Sequence, residues 1–266
     1  MAFLRNPLAW HKRYVEGVYD LPSSPASVVG RAAHLALQHF YGGTSKEGSI
    51  ALGLEYLRGV ADFELNFGKA KSKLARKKKR KSMEHEYLNA VNFYLARPPR
   101  YKVLAVEHKA TVSVEGLPLP IKAISDLVVE SKVDPKGLDI VDHKFVSSWS
   151  PRGGNNSLDI MQSIFNYYTV KKTYGRPVRR FTVHECKISR NMDGSPQMRR
   201  HVIDFRPFRE EFIIFNRLIR DATEALRIMR VFLPNPSDMF EGENSFDIYR
   251  INLPREDYDA HFRPDE

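Results

Sequence analysis

The chain has 266 residues, 42% of them hydrophobic, and its 42 Lys and Arg against 32 Asp and Glu give a formal charge of +10. No stretch approaches the ~20 apolar residues of a membrane span, and Met1 to Pro7 lack the apolar run of a secretory signal, so a globular cytoplasmic protein without membrane attachment is expected. The single cysteine, Cys186, excludes an intrachain disulfide and any all-cysteine zinc or iron–sulfur site, while the positive excess points to a polyanionic partner, nucleic acid ahead of a membrane surface.

Residues 3 to 20 mix Trp10, Tyr14 and Tyr19 with Arg5, His11, Lys12 and Arg13, a pattern suited to a short surface helix with aromatic anchors. After the loop Leu21 to Pro25, the run from Ser27 to Tyr41 reads as a helix closed by Gly42-Gly43. Residues 46 to 96 are expected to be helical, with Leu52, Leu54, Leu57, Val60 and Phe63 in a broad apolar pattern. Between Lys69 and Lys81 stand nine basic residues in thirteen and no acidic one. A solvated helix face is the plain reading. The density also suits phosphate neutralisation, which makes Arg76, Lys77, Lys78, Lys79, Arg80 and Lys81 candidate contacts to a nucleic-acid backbone.

Three strand-like segments follow, Lys102 to Val114, Leu117 to Ser131 and Leu138 to Val146. In the third, Asp142 and Lys144 are two residues apart, so a carboxylate and an ammonium leave the strand on one face. In the second, Asp126 interrupts an apolar run. Charge inside a strand is costly unless something uses it. Glu107 belongs to a charged patch with His108 and Lys109, and a solvent-facing role suits it as well as a functional one. Glu130 ends its strand, and Glu185 has no motif around it.

Ser147 to Ser157 is a polar loop expected at the mouth of the Asp142 and Lys144 site, followed by a helix from Leu158 to Thr173. A strand from Arg179 to Ser189, a turn at Asn191 to Gly194, a strand from Met198 to Phe205 and a long helix from Phe208 to Phe232 complete the body. Residues 241 to 266 hold eight acidic and three basic residues and read as a loosely packed tail.

Taken in order, Gly30 to His34, Glu107, Ile124-Ser125-Asp126, Val141-Asp142-His143-Lys144 and Gln162 on a helix resemble the motif series of the RecB-like branch of the PD-(D/E)XK nuclease superfamily. The resemblance implies an α/β fold of the restriction-endonuclease type: a mixed central sheet flanked by helices, with a helical insertion and a C-terminal helix. The expected organisation is one nuclease domain over 1–240, a basic insertion over 45–97 and the acidic tail over 241–266. His34 lies where the family's helix histidine approaches the metal. Gln162 and Tyr167 match its glutamine and tyrosine, although the tyrosine more often comes four residues after the glutamine, where this chain has Asn166. Where many relatives carry iron–sulfur cysteines after a proline-rich turn like Leu233 to Ser237, this chain has Asp238 to Glu243, so it resembles the cluster-free members.

Phosphodiester hydrolysis needs charge neutralisation, an activated water and a stabilised leaving oxygen, all of which a hard divalent cation on carboxylates supplies. Glu107, Asp126 and Asp142 are therefore expected to hold Mg²⁺ or Mn²⁺, with the His143 carbonyl and with His34 as a further ligand. Lys144 is expected to orient or help deprotonate the attacking water. The expected activity is DNA hydrolysis on single-stranded or end-bearing substrates in repair, recombination, or phage or CRISPR processing, with any helicase or recombination protein as a separate chain. A non-catalytic nucleic-acid-binding subunit and an RNA-directed nuclease remain open beside it.

Overall fold

A computed structural model of the chain describes residues 2–18, 22–149, 157–192 and 197–233. The acidic tail, the proline-rich turn after Leu233, most of the 147–157 loop and the turn at 193–196 lie outside the described residues. Two compact units are distinguished, one over 22–220 and a smaller one that joins the described residues before 22 to those after 220. In the smaller unit, α1 (Ala2–Arg5) and α2 (Pro7–Tyr14) are joined at Asn6, whose side chain accepts from Ala9 N. Phe232 stacks on His11 at 4.1 Å, and Leu8 N donates to the Leu233 carbonyl.

The larger unit starts with α3 (Pro25–Tyr41), whose Ser24 cap accepts from Ser27 N and whose buried stripe, Val28, Val29, Ala32, Ala33, Ala36 and Leu37, repeats at helical spacing. Its small residues let α4 (Lys46–Gly59) come close. A β-carbon on Gly53 would stand 2.6 Å from the Ala32 carbonyl oxygen and 2.3 Å from the Tyr87 hydroxyl. The expected continuous helicity from 46 to 96 is broken. A 3₁₀ turn (Asp62–Glu64) follows α4, Leu65 forms a parallel bridge with Ser23, and Gly68 takes φ +54 before Ser72 caps α5 (Lys73–Ala96). Leucine and valine periodicity does not report these interruptions, because Leu65 stays buried in the same core as Leu57.

Among the described residues the sheet has five strands in the order β1 (Val103–Val112), β2 (Ile121–Glu130), β3 (Leu138–Val146), β4 (Val178–Lys187) and β5 (Met198–Asp204). All neighbours are antiparallel except β3 and β4, which run parallel through the crossover helix α6 (Ser157–Tyr174). Every residue from Leu138 to His143 is buried, as expected of a central strand covered on both faces. On one face Cys186 joins the core of α3, α4 and α5; on the other, Val128, Leu138, Ile140 and Phe181 pack with Val170 of α6 and with residues leading into α7 (Arg209–Ile228). This mixed sheet between helices is the α/β arrangement of the restriction-endonuclease type. No described helix is long and apolar enough to cross a membrane.

Candidate active site

The pairing of β2 with β3 runs from Glu130↔Leu138 to Leu127↔Val141 and stops there. Beyond that point β3 keeps its parallel register with β4 as far as Val146, so its other edge loses its backbone partner. Asp126 fills the gap. Its Oδ2 accepts the His143 N–H at 2.7 Å, a side chain standing where a main-chain carbonyl would have been. The next strand bends at the same level. Glu107, between the pairs Val106↔Leu127 and His108↔Ser125, takes φ +48, among the described residues the one non-glycine positive φ. Such a conformation costs roughly 1–3 kcal/mol and persists where surrounding structure enforces it.

The α3 helix delivers His34 to this break, with Nδ1 3.4 Å from Asp126 Oδ2. One donor atom each from His34, Glu107 and Asp126 lies within 4.8 Å of the others. That spread suits ligands around a hard cation whose bonds are about 2.1 to 2.6 Å long. Asp142 does not belong to this closest group. Its Oδ1 accepts from Gln162 Nε2 at 2.7 Å, and its Oδ2 is buried without a hydrogen bond, 3.3 Å from Lys144 Nζ. A buried carboxylate oxygen left in that state calls for a completing partner. The His143 imidazole spans from the site to the α5 side: its Nδ1 lies 3.4 Å from Asp126 Oδ2, while Tyr94 Oη meets its Nε2 at 2.9 Å and Tyr41 Oη meets Tyr94 Oη at 3.0 Å.

The electrostatics follow from three carboxylates crowded at one break. Burial opposes the charge on Asp126, but His143 and His34 outweigh it and hold the carboxyl well below the usual carboxylate range. Glu107 is raised by burial and then by the Asp126 charge. Asp142 is pushed up to about 6, by burial first and Asp126 second. Burial lowers Lys144, yet Asp142 and then Asp159 raise it above its ordinary value, so it stands as an ammonium. Burial also disfavours a charged His34, but the hydrogen bond and charge of Asp126 lift it overall. Burial pushes His143 down. A bound cation would relieve the mutual repulsion of the carboxylates, and the donor set of one imidazole and hard oxygens fits a divalent one.

Lys144 is held from three sides: Asp142 at 3.3 Å, Asp159 Oδ1 at 3.2 Å and Gln162 Oε1 at 3.0 Å. Asp159 went unmarked in the sequence. It stands three residues before Gln162 on α6, so any helix that aims Gln162 at the lysine also aims Asp159 there. Tyr167 requires a correction. It packs on Phe205 and Phe212 and accepts a hydrogen bond from Lys171 Nζ, away from the carboxylates. The residue one helical turn after Gln162 is Asn166, which accepts from Ser125 Oγ at 2.6 Å and donates to the Gln162 carbonyl. Arg80 is corrected as well. Asp62 and the Leu57 and Val60 carbonyls pin its guanidinium, giving it a structural task. Arg76, Lys77, Lys78 and Lys81 are exposed on α5, with Lys79 half-buried. Glu185, set aside for want of a motif, is buried and paired with His201 at 3.2 Å.

The family model of the PD-(D/E)XK nuclease superfamily matches residues 1–237. No curated protein sequence matches the chain. Among solved structures, one described as "Crystal structure of SSO0001" is similar at 13% identity over 94% of this chain and 95% of that one, with a TM-score of 0.35, too low to carry an argument. With the family model spanning nearly the whole described chain, the protein belongs to the PD-(D/E)XK nuclease superfamily.

Proposed function

We propose that the chain is a deoxyribonuclease of the RecB-like branch without an iron–sulfur cluster, using Mg²⁺ or Mn²⁺ to cut single-stranded or end-bearing DNA from its ends. The observation that carries this reading is the fixed Lys144 ammonium, wedged between Asp142, Asp159 and Gln162 beside the His34, Glu107 and Asp126 group. His34, Glu107, Asp126 and Asp142 would hold the cation, which supplies neutralisation of the phosphate and a more acidic bound water. Asp142 and Asp159 raise Lys144 above its ordinary value and keep it an ammonium. Its role is to donate to a phosphate oxygen or to the attacking water and to balance charge as the phosphorus becomes five-coordinate. Gln162 fixes both members of the pair, one through its amide nitrogen and one through its oxygen. The exposed Arg76, Lys77, Lys78 and Lys81 supply positive charge for a DNA backbone.

The test is digestion of labelled single- and double-stranded DNA and RNA with Mg²⁺, Mn²⁺ or chelator, beside Lys144→Ala. Metal-dependent release of short products from DNA, lost with chelator and reduced at least 10²-fold in the variant, is expected. Binding without cutting under every metal condition sinks the nuclease reading, and cutting of RNA alone sinks the DNA assignment.

A further inference from the structure

The sheet carries a second polar recess, on the opposite side of β3 from Lys144. It has a volume of about 280 Å³ and is lined by strand residues, by the 99–101 connector and by Lys132 of the turn between β2 and β3, with no helix residue among those described. Asp139 and Val141 of β3 line it, and alternation along the strand sends these side chains to the face opposite Asp142 and Lys144.

Five cations border the recess, Arg100, Lys132, Arg180, Arg199 and Arg200. Its two carboxylates are already engaged. Asp139 Oδ2 takes both the Nε and an Nη of Arg180, at 3.0 and 2.5 Å, and Glu130 pairs with Lys102 at 2.9 Å. Among the described residues, no carboxylate pairs with Arg100, Lys132 or Arg200. Surface cations alone would mean little, but two buried atoms in the wall lack partners: His184 Nδ1 and Asp139 Oδ1.

The chemistry of those two atoms narrows the ligand. The His184 ring lies against Tyr101 with its Nδ1 buried. Its Nε2 meets the Tyr101 hydroxyl at 2.5 Å. When that hydroxyl donates, Nδ1 carries the proton and needs an acceptor; Asp139 Oδ1 needs a donor. A ligand that satisfies the wall must offer an anion to the arginines and a hydroxyl or amino hydrogen to Asp139. It must also be small, since the volume is at the low end of the ~300 Å³ and larger clefts that hold small molecules. Tyr101 adds an aromatic ring with Lys132 5.4 Å from its centroid.

We propose that this recess binds a single nucleotide, with the phosphate among Arg100, Arg180 and Arg200, a sugar or base donor on Asp139 Oδ1 and an acceptor on His184 Nδ1. The nucleotide is either free or the terminal unit of a strand. The inference does not rest on the nuclease reading, since none of these residues belongs to the carboxylate group at the β2–β3 break.

The experiment is calorimetric titration of the full chain in EDTA with deoxyadenosine 5′-monophosphate, and separately with deoxyadenosine and with inorganic phosphate. The monophosphate is expected to bind at least tenfold more tightly than either fragment. Arg100→Glu and Arg200→Glu, both at exposed positions, are each expected to weaken it at least tenfold, while Asp142→Asn leaves it unchanged. A 5′-phosphorylated oligonucleotide that binds with the same dependence on the arginines identifies a strand end as the source. One that fails to bind identifies the free nucleotide. No monophosphate binding at millimolar concentration, binding indifferent to both charge reversals, or phosphate alone binding as well as the nucleotide overturns the proposal. Chelator separates this result from the cutting assay, so either can fail without the other.

Discussion

Asp142 holds its charge at a cost that a single substitution can expose. Burial and the Asp126 carboxylate lift its pKa from 3.8 to about 6, against the opposing pull of Lys144 and His34. Between pH ~4 and ~6 the folded chain therefore keeps a proton that the unfolded chain releases, and metal-free stability falls as pH rises through that window. A displacement of about 2 in pKa corresponds to about 3 kcal/mol, felt in full above the window. Asp142→Asn removes this dependence while keeping an acceptor for Gln162 Nε2. Its amide hydrogens would face Lys144 Nζ, which now stands 3.3 Å from Oδ2, a pH-independent cost of about 1–3 kcal/mol. Lys144 retains Asp159 and Gln162. The variant should thus be the less stable protein at pH 4 and equal or superior at pH 7.5. The difference should swing by about 3 kcal/mol, or roughly 6–12 °C in melting temperature for a chain of this size. Thermal melts of both proteins in EDTA across pH 4 to 7.5 read it directly. A difference curve that stays flat over that range refutes the electrostatic account of the site.

Adding Mn²⁺ should raise the melting temperature of the wild type and raise that of Asp142→Asn less, as scanning fluorimetry with and without the ion would show. Gly53→Ala should cost at least about 2 kcal/mol in urea unfolding, because its methyl would meet the Ala32 backbone at 2.6 Å; an unchanged midpoint would mean that α4 can back away from α3 at little cost. Arg80→Ala should lower stability by about 1–3 kcal/mol through the two carbonyls and the carboxylate it leaves unpaired. By contrast, alanine at Lys77, Lys78 and Lys81 together should leave the melt unmoved and weaken DNA binding, with a salt slope shallower by ~0.9 for each phosphate that is no longer neutralised. Glu107→Gly should be more stable than Glu107→Ala by about 1 kcal/mol, since only glycine takes φ +48 without strain, and equal melts would place the strain elsewhere.

The strands and their charges were legible because a strand's signal is local. Asp142 and Lys144 share a face by spacing alone, and Asp126 stood out because an acid among valines is too costly to bury without a task. What escaped was set by where elements meet. The 46–96 stretch kept its apolar rhythm across a break, because Leu65 serves the core from a bridge to Ser23 as well as it could from a helix. Arg80 looked like its basic neighbours, and only the 3₁₀ turn that brings Asp62 under it makes it structural. Asp159, Tyr94 and His184 carried no motif. Each acquires its place from a neighbour in space: Lys144 for Asp159, His143 for Tyr94, and the parallel register His143↔His184 for the last. The same distinction explains why Asp142 stands apart from the closest donor group. Sequence order puts three acids on adjacent strands, but the early end of the β2–β3 ladder turns Asp126 toward His34 and the His143 amide, while Asp142 remains with α6. The site is therefore divided between two helices. One presents an imidazole to two carboxylates, the other a glutamine and a carboxylate to the lysine, and the unpaired end of one strand ladder is what lets both reach the same edge of β3.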